Sequence, residues 1–201
     1  MWKKLAIFLL VLLVAAIGVV VYLFTQVTSL PDWYTELSHE DAPAAAESPG
    51  GALQWAPAAE GSKKKELRNF HRRAAKKSAD VKAVIKASNA TYEDGQLEAG
   101  VVADLRKVPV DKLDKSQQSL FERARSAFPS LTDRDVYIGV EDPSPVFKDG
   151  RLEVGPSARL KVGNLTYSLD AAAEKLGMTP DKLRAELNQQ FRELGVAAPT
   201  G

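Results

Sequence analysis

Residues 91–105 read TYEDGQLEAGVVADL and residues 146–160 read VFKDGRLEVGPSARL. At a constant offset of 55, seven of the fifteen positions are identical: Asp94/Asp149, Gly95/Gly150, Leu97/Leu152, Glu98/Glu153, Gly100/Gly155, Ala103/Ala158 and Leu105/Leu160. Chance would give about one, so the spacing predicts an internal repeat. Asp-Gly favours the positive φ that a tight hairpin turn needs. After each turn the apolar residues alternate, Leu97, Ala99, Val101, Ala103 and Leu105 in one copy and Leu152, Val154, Ala158, Leu160 and Val162 in the other. That is the period of a half-buried strand. The phase survives Gly100 and Gly155, which predicts one long strand in each copy, bent at glycine. Upstream, Val81, Ala83, Ile85 and Ala87 alternate in the same way, and so do Val136, Ile138 and Val140.

Helices are expected after each hairpin. Asp114 and Gln117 form a capping box ahead of Leu120, Phe121 and Ala124. Leu169 to Leu176 is closed by Gly177, and Thr179-Pro180 opens a helix whose Leu183, Leu187, Phe191 and Leu194 share a face. With a basic helix over about 64–78, the order becomes α–ββ–α–ββ–α–α. The expected fold is α+β: an antiparallel sheet of about four main strands, built from a duplicated hairpin–helix unit (80–113 and 135–169), with helices on one face.

Outside this domain, the most informative stretch is the apolar run from Leu5 to Phe24, which follows Met1-Trp2-Lys3-Lys4. Twenty helical residues span about 30 Å, the thickness of a bilayer's hydrocarbon core. The run exceeds the apolar core of a cleaved signal and lacks a well-placed small-residue cleavage site, so it is read as a retained signal anchor. Lys3 and Lys4 precede it, and no Lys or Arg follows until Lys63, which places the N-terminus in the cytoplasm and the rest outside. Trp2 near the inner end, and Trp33 and Tyr34 beyond the outer end, are the expected interfacial anchors.

Residues 25–62 hold six acidic and no basic groups, whereas residues 63–201 hold 25 basic and 20 acidic ones. The first of these segments is Ala-, Pro- and Gly-rich towards its end and is expected to be a tether, with a coil's reach on the order of 30 Å. The extracytoplasmic domain then covers 63–201. Cysteine is absent, which excludes disulfides, thiol chemistry and cysteine-ligated metal.

No catalytic signature occurs. His39 and His71 lack sequence neighbours that would make a zinc site or a triad. Asp94 and Asp149 are explained by turn geometry. Glu141-Asp142 and Asp133-x-Asp135 read as solvated loop acids rather than a cation site. Residues 170–189 resemble a helix-turn-helix of the DNA-binding kind, but short helix–Gly–helix connections are common structural units and the expected topology puts this one across the membrane from DNA. No nucleic acid, metal or cofactor is therefore expected.

The basic run is the remaining candidate site. Lys63, Lys64, Lys65, Arg68, Arg72, Arg73, Lys76 and Lys77 are accompanied by one acid, Glu66. On a helix Arg68, Arg72 and Lys76 would share a face, fit for anionic headgroups. The functional expectation is a single-pass envelope protein of periplasmic type, acting as a non-catalytic binding or scaffold domain for a partner protein. The alternative is a domain that binds lipid or an envelope polymer, using a groove between sheet and helices together with the 63–77 segment. A hydrolase without local motifs ranks below both.

Overall fold

The structure, a computed structural model, describes residues 29–37, 53–72, 83–127, 134–148, 150–194, 196, 198 and 199. The expected anchor, Trp2, His39, Arg73, Lys76, Lys77, Asp133 and Asp149 lie outside these residues. Among the described residues no helix is long and apolar enough to cross a membrane.

The chain is a mixed α+β fold. In order come α1 (Asp32–Leu37), β1 (Ala56–Pro57), β2 (Lys65–Arg68), β3 (Ile85–Glu93), β4 (Gln96–Asp104), α2 (Lys115–Ala127), β5 (Asp135–Asp142), β6 (Val146–Lys148), β7 (Arg151–Glu153), β8 (Arg159–Val162), β9 (Leu165–Ser168), α3 (Leu169–Leu176) and α4 (Pro180–Leu194). Seven strands form one antiparallel sheet in the order β1-β2-β3-β4-β5-β8-β9, and β6 pairs with β7 apart from it. The four central strands are the two hairpins expected from the repeat, and short strands extend both edges.

The hairpins share their register at the tip. Tyr92 faces Leu97 in the first, and Phe147 faces Leu152 in the second. Gly95 and Gly150 both hold positive φ, at 82° and 72°. Leu97 and Leu152 are each 1% exposed and lie in the same core.

Away from the tip the two hairpins part. β4 runs unbroken through Gly100, whereas the second hairpin opens at Ser144 and at Val154–Ala158 and closes again with Glu141 opposite Arg159. The expectation of one bent strand through Gly155 therefore fails. Pro156 has no N–H for the ladder, and the fully buried Asp142 occupies the gap. Its carboxylate accepts the backbone N–H of Ser144 at 2.9 Å and of Gly155 at 2.7 Å, while Asn188 of α4 accepts that of Val154 at 2.6 Å. Leu105 and Leu160 differ as well: Leu105 sits in a 3-10 turn after β4, and Leu160 lies within β8.

The helix limits follow their caps. Asp114 and Gln117 exchange two hydrogen bonds, of 2.9 and 3.1 Å. Gly177 closes α3 with φ 64°, and the Thr179 hydroxyl accepts the Lys182 N–H at 3.3 Å. Arg123 of α2 donates to the carbonyls of Leu176 and Gly177, tying α2 to the α3–α4 corner. Ala173 and Leu183 of that corner belong to the core, which accounts for the apolar positions of the helix-turn-helix-like segment.

Two boundaries differ from expectation. Lys65–Arg68 is a strand and not the start of a helix. Leu67 alternates with Glu66 and Arg68, is completely buried, and pairs with Ala90. Leu53 is likewise only 5% exposed, with Trp55 packed against the same core, so the folded part reaches back before residue 63.

Candidate functional site

Cross-strand partners share a face, so the register sorts the sheet into two surfaces. One carries Leu67, Ala90, Leu97, Ala99, Val140 and Leu160, and is covered by α3 and α4. The covering is incomplete. Between the middle of the sheet and the C-terminal half of α4 lies a cavity of about 290 Å³. Phe70, Ile85, Val101, Ile138, Leu160, Leu187 and Phe191 line it, with Gln190 and Glu193 as its polar lining groups. Ile85, Val101, Ile138, Leu160 and Leu187 are only half-buried. Small residues facing α4, chiefly Ala99, leave this space. An apolar groove with few polar groups suits an apolar ligand.

The opposite face carries the rows Glu66–Thr91–Glu98–Glu141–Arg159 and Arg68–Asn89–Gly100–Gly139–Lys161. Gly100 and Gly139 are directly opposed, and the Tyr137 ring lies across both, so a Cβ at either would overlap it. Glycine pairs are weak sheet formers, and an aromatic laid over them restores the missing packing. The Tyr137 hydroxyl donates to Glu98 at 3.1 Å, and Lys161 donates to the same oxygen at 2.6 Å. Burial and the neighbouring Glu98 carboxylate push the Tyr137 phenol well up.

α1 packs on this face. The Trp33 ring meets Tyr137 edge-on, with centroids 6.1 Å apart and planes at 76°. The Tyr34 hydroxyl donates to Asp135 at 3.3 Å, and Lys86 donates to the same carboxylate oxygen at 2.7 Å. Burial raises the Tyr34 phenol, and the hydrogen bond to Asp135 raises the Lys86 ammonium. Trp33 and Tyr34, expected at the membrane interface, thus touch the domain itself.

The basic run does not form one helical surface over its described part. Arg68 ends β2 and pairs with Glu66 at 2.8 Å, and Lys64 faces Glu93, Asp94, Glu98 and Glu141 around a polar depression. After Asn69 turns the chain with φ 51°, His71 and Arg72 enter a helical turn. Arg68 and Arg72 therefore belong to different elements, and the i, i+4 relation between them is absent.

Among the described residues no histidine–hydroxyl pair is exposed as an activated nucleophile would be. His71 and Ser88 do meet, with Nδ1 2.9 Å from the hydroxyl, a contact across 17 residues that no motif foretold. Ser88 is fully buried, however, and its oxygen also accepts the His71 backbone N–H at 2.9 Å. The pair anchors the turn after β2. Burial, then the Arg72 charge, lowers the His71 imidazole to about 4. Arg106 holds the Asp104 carboxylate down to about 2 through a 2.7 Å hydrogen bond. Among the described residues no three His, Asp or Glu side chains are grouped to hold a metal ion.

The chain matches no known protein family, no curated protein and no solved structure.

Proposed function

We propose that this chain is a membrane-anchored, extracytoplasmic, non-catalytic binding domain, and that the groove between the sheet and α4 receives a lipid acyl chain. The carrying observation is the cavity of about 290 Å³ with its apolar walls. Leu5–Phe24 supplies the anchor, with Lys3 and Lys4 setting its orientation. Ser29, which precedes α1, follows Phe24 by five residues. Five residues reach roughly 17 Å when extended, so lipid is the apolar ligand within range. Each methylene transferred into such a groove contributes about 0.8 kcal/mol.

The two hairpins are read as copies of one hairpin–helix unit, on the strength of the seven identities and the shared tip register. In that reading the groove lies over the junction of the copies, where β4 of the first meets β5 of the second.

Photo-crosslinking tests the reading. The full chain is reconstituted in liposomes containing a phospholipid with a photoactivatable acyl tail, and the labelled peptides are mapped. Label is expected on α4 around Leu187 and Phe191 as well as on the anchor. Val101→Trp, which fills the groove, should erase the α4 label and spare the anchor label. Label confined to the anchor in the parent chain sinks the acyl-chain reading and favours a protein partner for this domain.

A further inference from the structure

We infer that α1 is a clasp: it seats the Asp104–Asp135 end of the sheet beside the outer end of the anchor, so that this end of the domain is kept closest to the bilayer. The inference rests on the anchor reading above and adds what the fold does with it.

Three observations carry it. The contact has a built seat, because the opposed Gly100 and Gly139 let Tyr137 lie flat and offer its ring to Trp33. A polar latch lies beside it: Asp135 accepts from Tyr34 of the clasp and from Lys86 of β3. Finally, the clasp comes before the loop and not after it. Only residues 25–28 separate the apolar run from Ser29, whereas residues 38–52 lie between α1 and Leu53 of the core. A tether of roughly 35 residues would let the domain wander on the order of 30 Å. With α1 seated, residues 25–28 alone lie between the apolar run and Ser29, a step of roughly 17 Å at most. The acidic, Ala- and Pro-rich residues 38–52 then follow the clasp in sequence instead of spacing it from the membrane.

The clasp also selects an end. Asp135 and Tyr137 are the first and third residues of β5, and Ile138 of the groove comes next. The Asp94-Gly95 turn lies at the far end of β4, nine residues or about 30 Å away along the strand. The groove, over the middle of the sheet on its other face, then lies nearer the membrane than the hairpin tips do.

The chain has no cysteine, so single labels can be placed without background. The full chain is inserted in nanodiscs whose headgroups carry a metal-chelate quencher, with a fluorophore at Lys107→Cys or Gln96→Cys, both exposed positions. The Lys107 label should be quenched several-fold more than the Gln96 label, and Trp33→Ala should remove the difference. In the same samples, amide exchange of residues 29–37 should be slow in the parent chain and fast in Trp33→Ala. Equal quenching of the two labels, a difference that survives Trp33→Ala, or unprotected 29–37 amides overturns the clasp. Co-elution with nanodiscs reads the anchor separately. A chain that fails to co-elute refutes the anchor, and one that co-elutes with equal quenching refutes only the clasp.

Discussion

Tyr92 and Phe147, which hold the same place in the two hairpins, meet edge to face with ring centroids 5.7 Å apart and planes at 76°. Each ring stands beside the buried leucine opposite it, Leu97 for Tyr92 and Leu152 for Phe147. The equivalent positions thus close on each other, and the tips of both hairpins are held by one aromatic contact. Such a pair is worth about 0.5–1.5 kcal/mol beyond its buried area.

Leu97→Ala and Leu152→Ala should each destabilise the fold by about 2–5 kcal/mol, since both side chains are 1% exposed. Leu105→Ala should have a smaller effect, because Leu105 is half-buried in its 3-10 turn. Urea unfolding midpoints measure all three. Equal losses at Leu97 and Leu105 would contradict the packing described.

Asp142→Ala should be costly for a different reason. It strands the buried N–H of Gly155, with a penalty of about 1–3 kcal/mol, and also removes the acceptor of the more exposed Ser144 N–H. Hydrogen exchange should locate the damage at 143–158 and leave the β3–β4 hairpin protected. Loss of protection spread evenly over the sheet would show that Asp142 does more than staple the gap.

Stability should fall as pH drops through the range set by His71. Folding lowers this imidazole from 6.5 to about 4. Between those values the unfolded chain binds the extra proton, so acid favours unfolding. The contribution is fully present above pH 6.5 and lost by about pH 4, with a total on the order of 3 kcal/mol. The check is the unfolding free energy at pH 7.5, 6 and 5. His71→Gln should flatten the pH 6.5 to 5 portion.

Gly139→Ala should lift the Tyr137 ring from its seat, with overpacking of about 1–3 kcal/mol. The emission of Trp33 should shift to the red as α1 loses its platform. The spectrum is read in a Trp55→Phe, Trp2→Phe background. An unshifted spectrum would mean that α1 sits there independently of Tyr137.

Much of this architecture was legible in the sequence, and the reasons are local. Asp-Gly turns and the Asp114, Thr179 and Gly177 caps act over a few residues, and the chain forms them where the pattern puts them. The alternation expected through Ala83 fails, since β3 begins at Ile85 and a bulge puts Ile85 and Ala87 on different faces. What escaped depends on distant partners. Lysines around Glu66-Leu67 disguised a strand as a basic helix, because the burial of Leu67 depends on Ala90, 23 residues on. Alternation through Gly155 hid the break, because the gap needs Asp142 and Asn188 to fill it. Trp33 and Tyr34 looked like interfacial aromatics, and only the fold brings Tyr137 and Asp135 beneath them. The groove has no sequence signature, since a void is set by what Ala99 leaves unfilled against α4. The Ser88–His71 contact was equally invisible, joining the middle of β3 to the helical turn that follows β2.

The opposed glycines under Tyr137 carry a last implication. On the proposed clasp, the height at which Trp33 rests above the sheet is fixed by how deeply that phenol ring can sink, and it sinks fully because positions 100 and 139 have no side chains. Two residues in the middle of a sheet, far along the chain from the apolar run, therefore set the stand-off between domain and bilayer. On that proposal, side-chain volume added there is a shim between the sheet and α1.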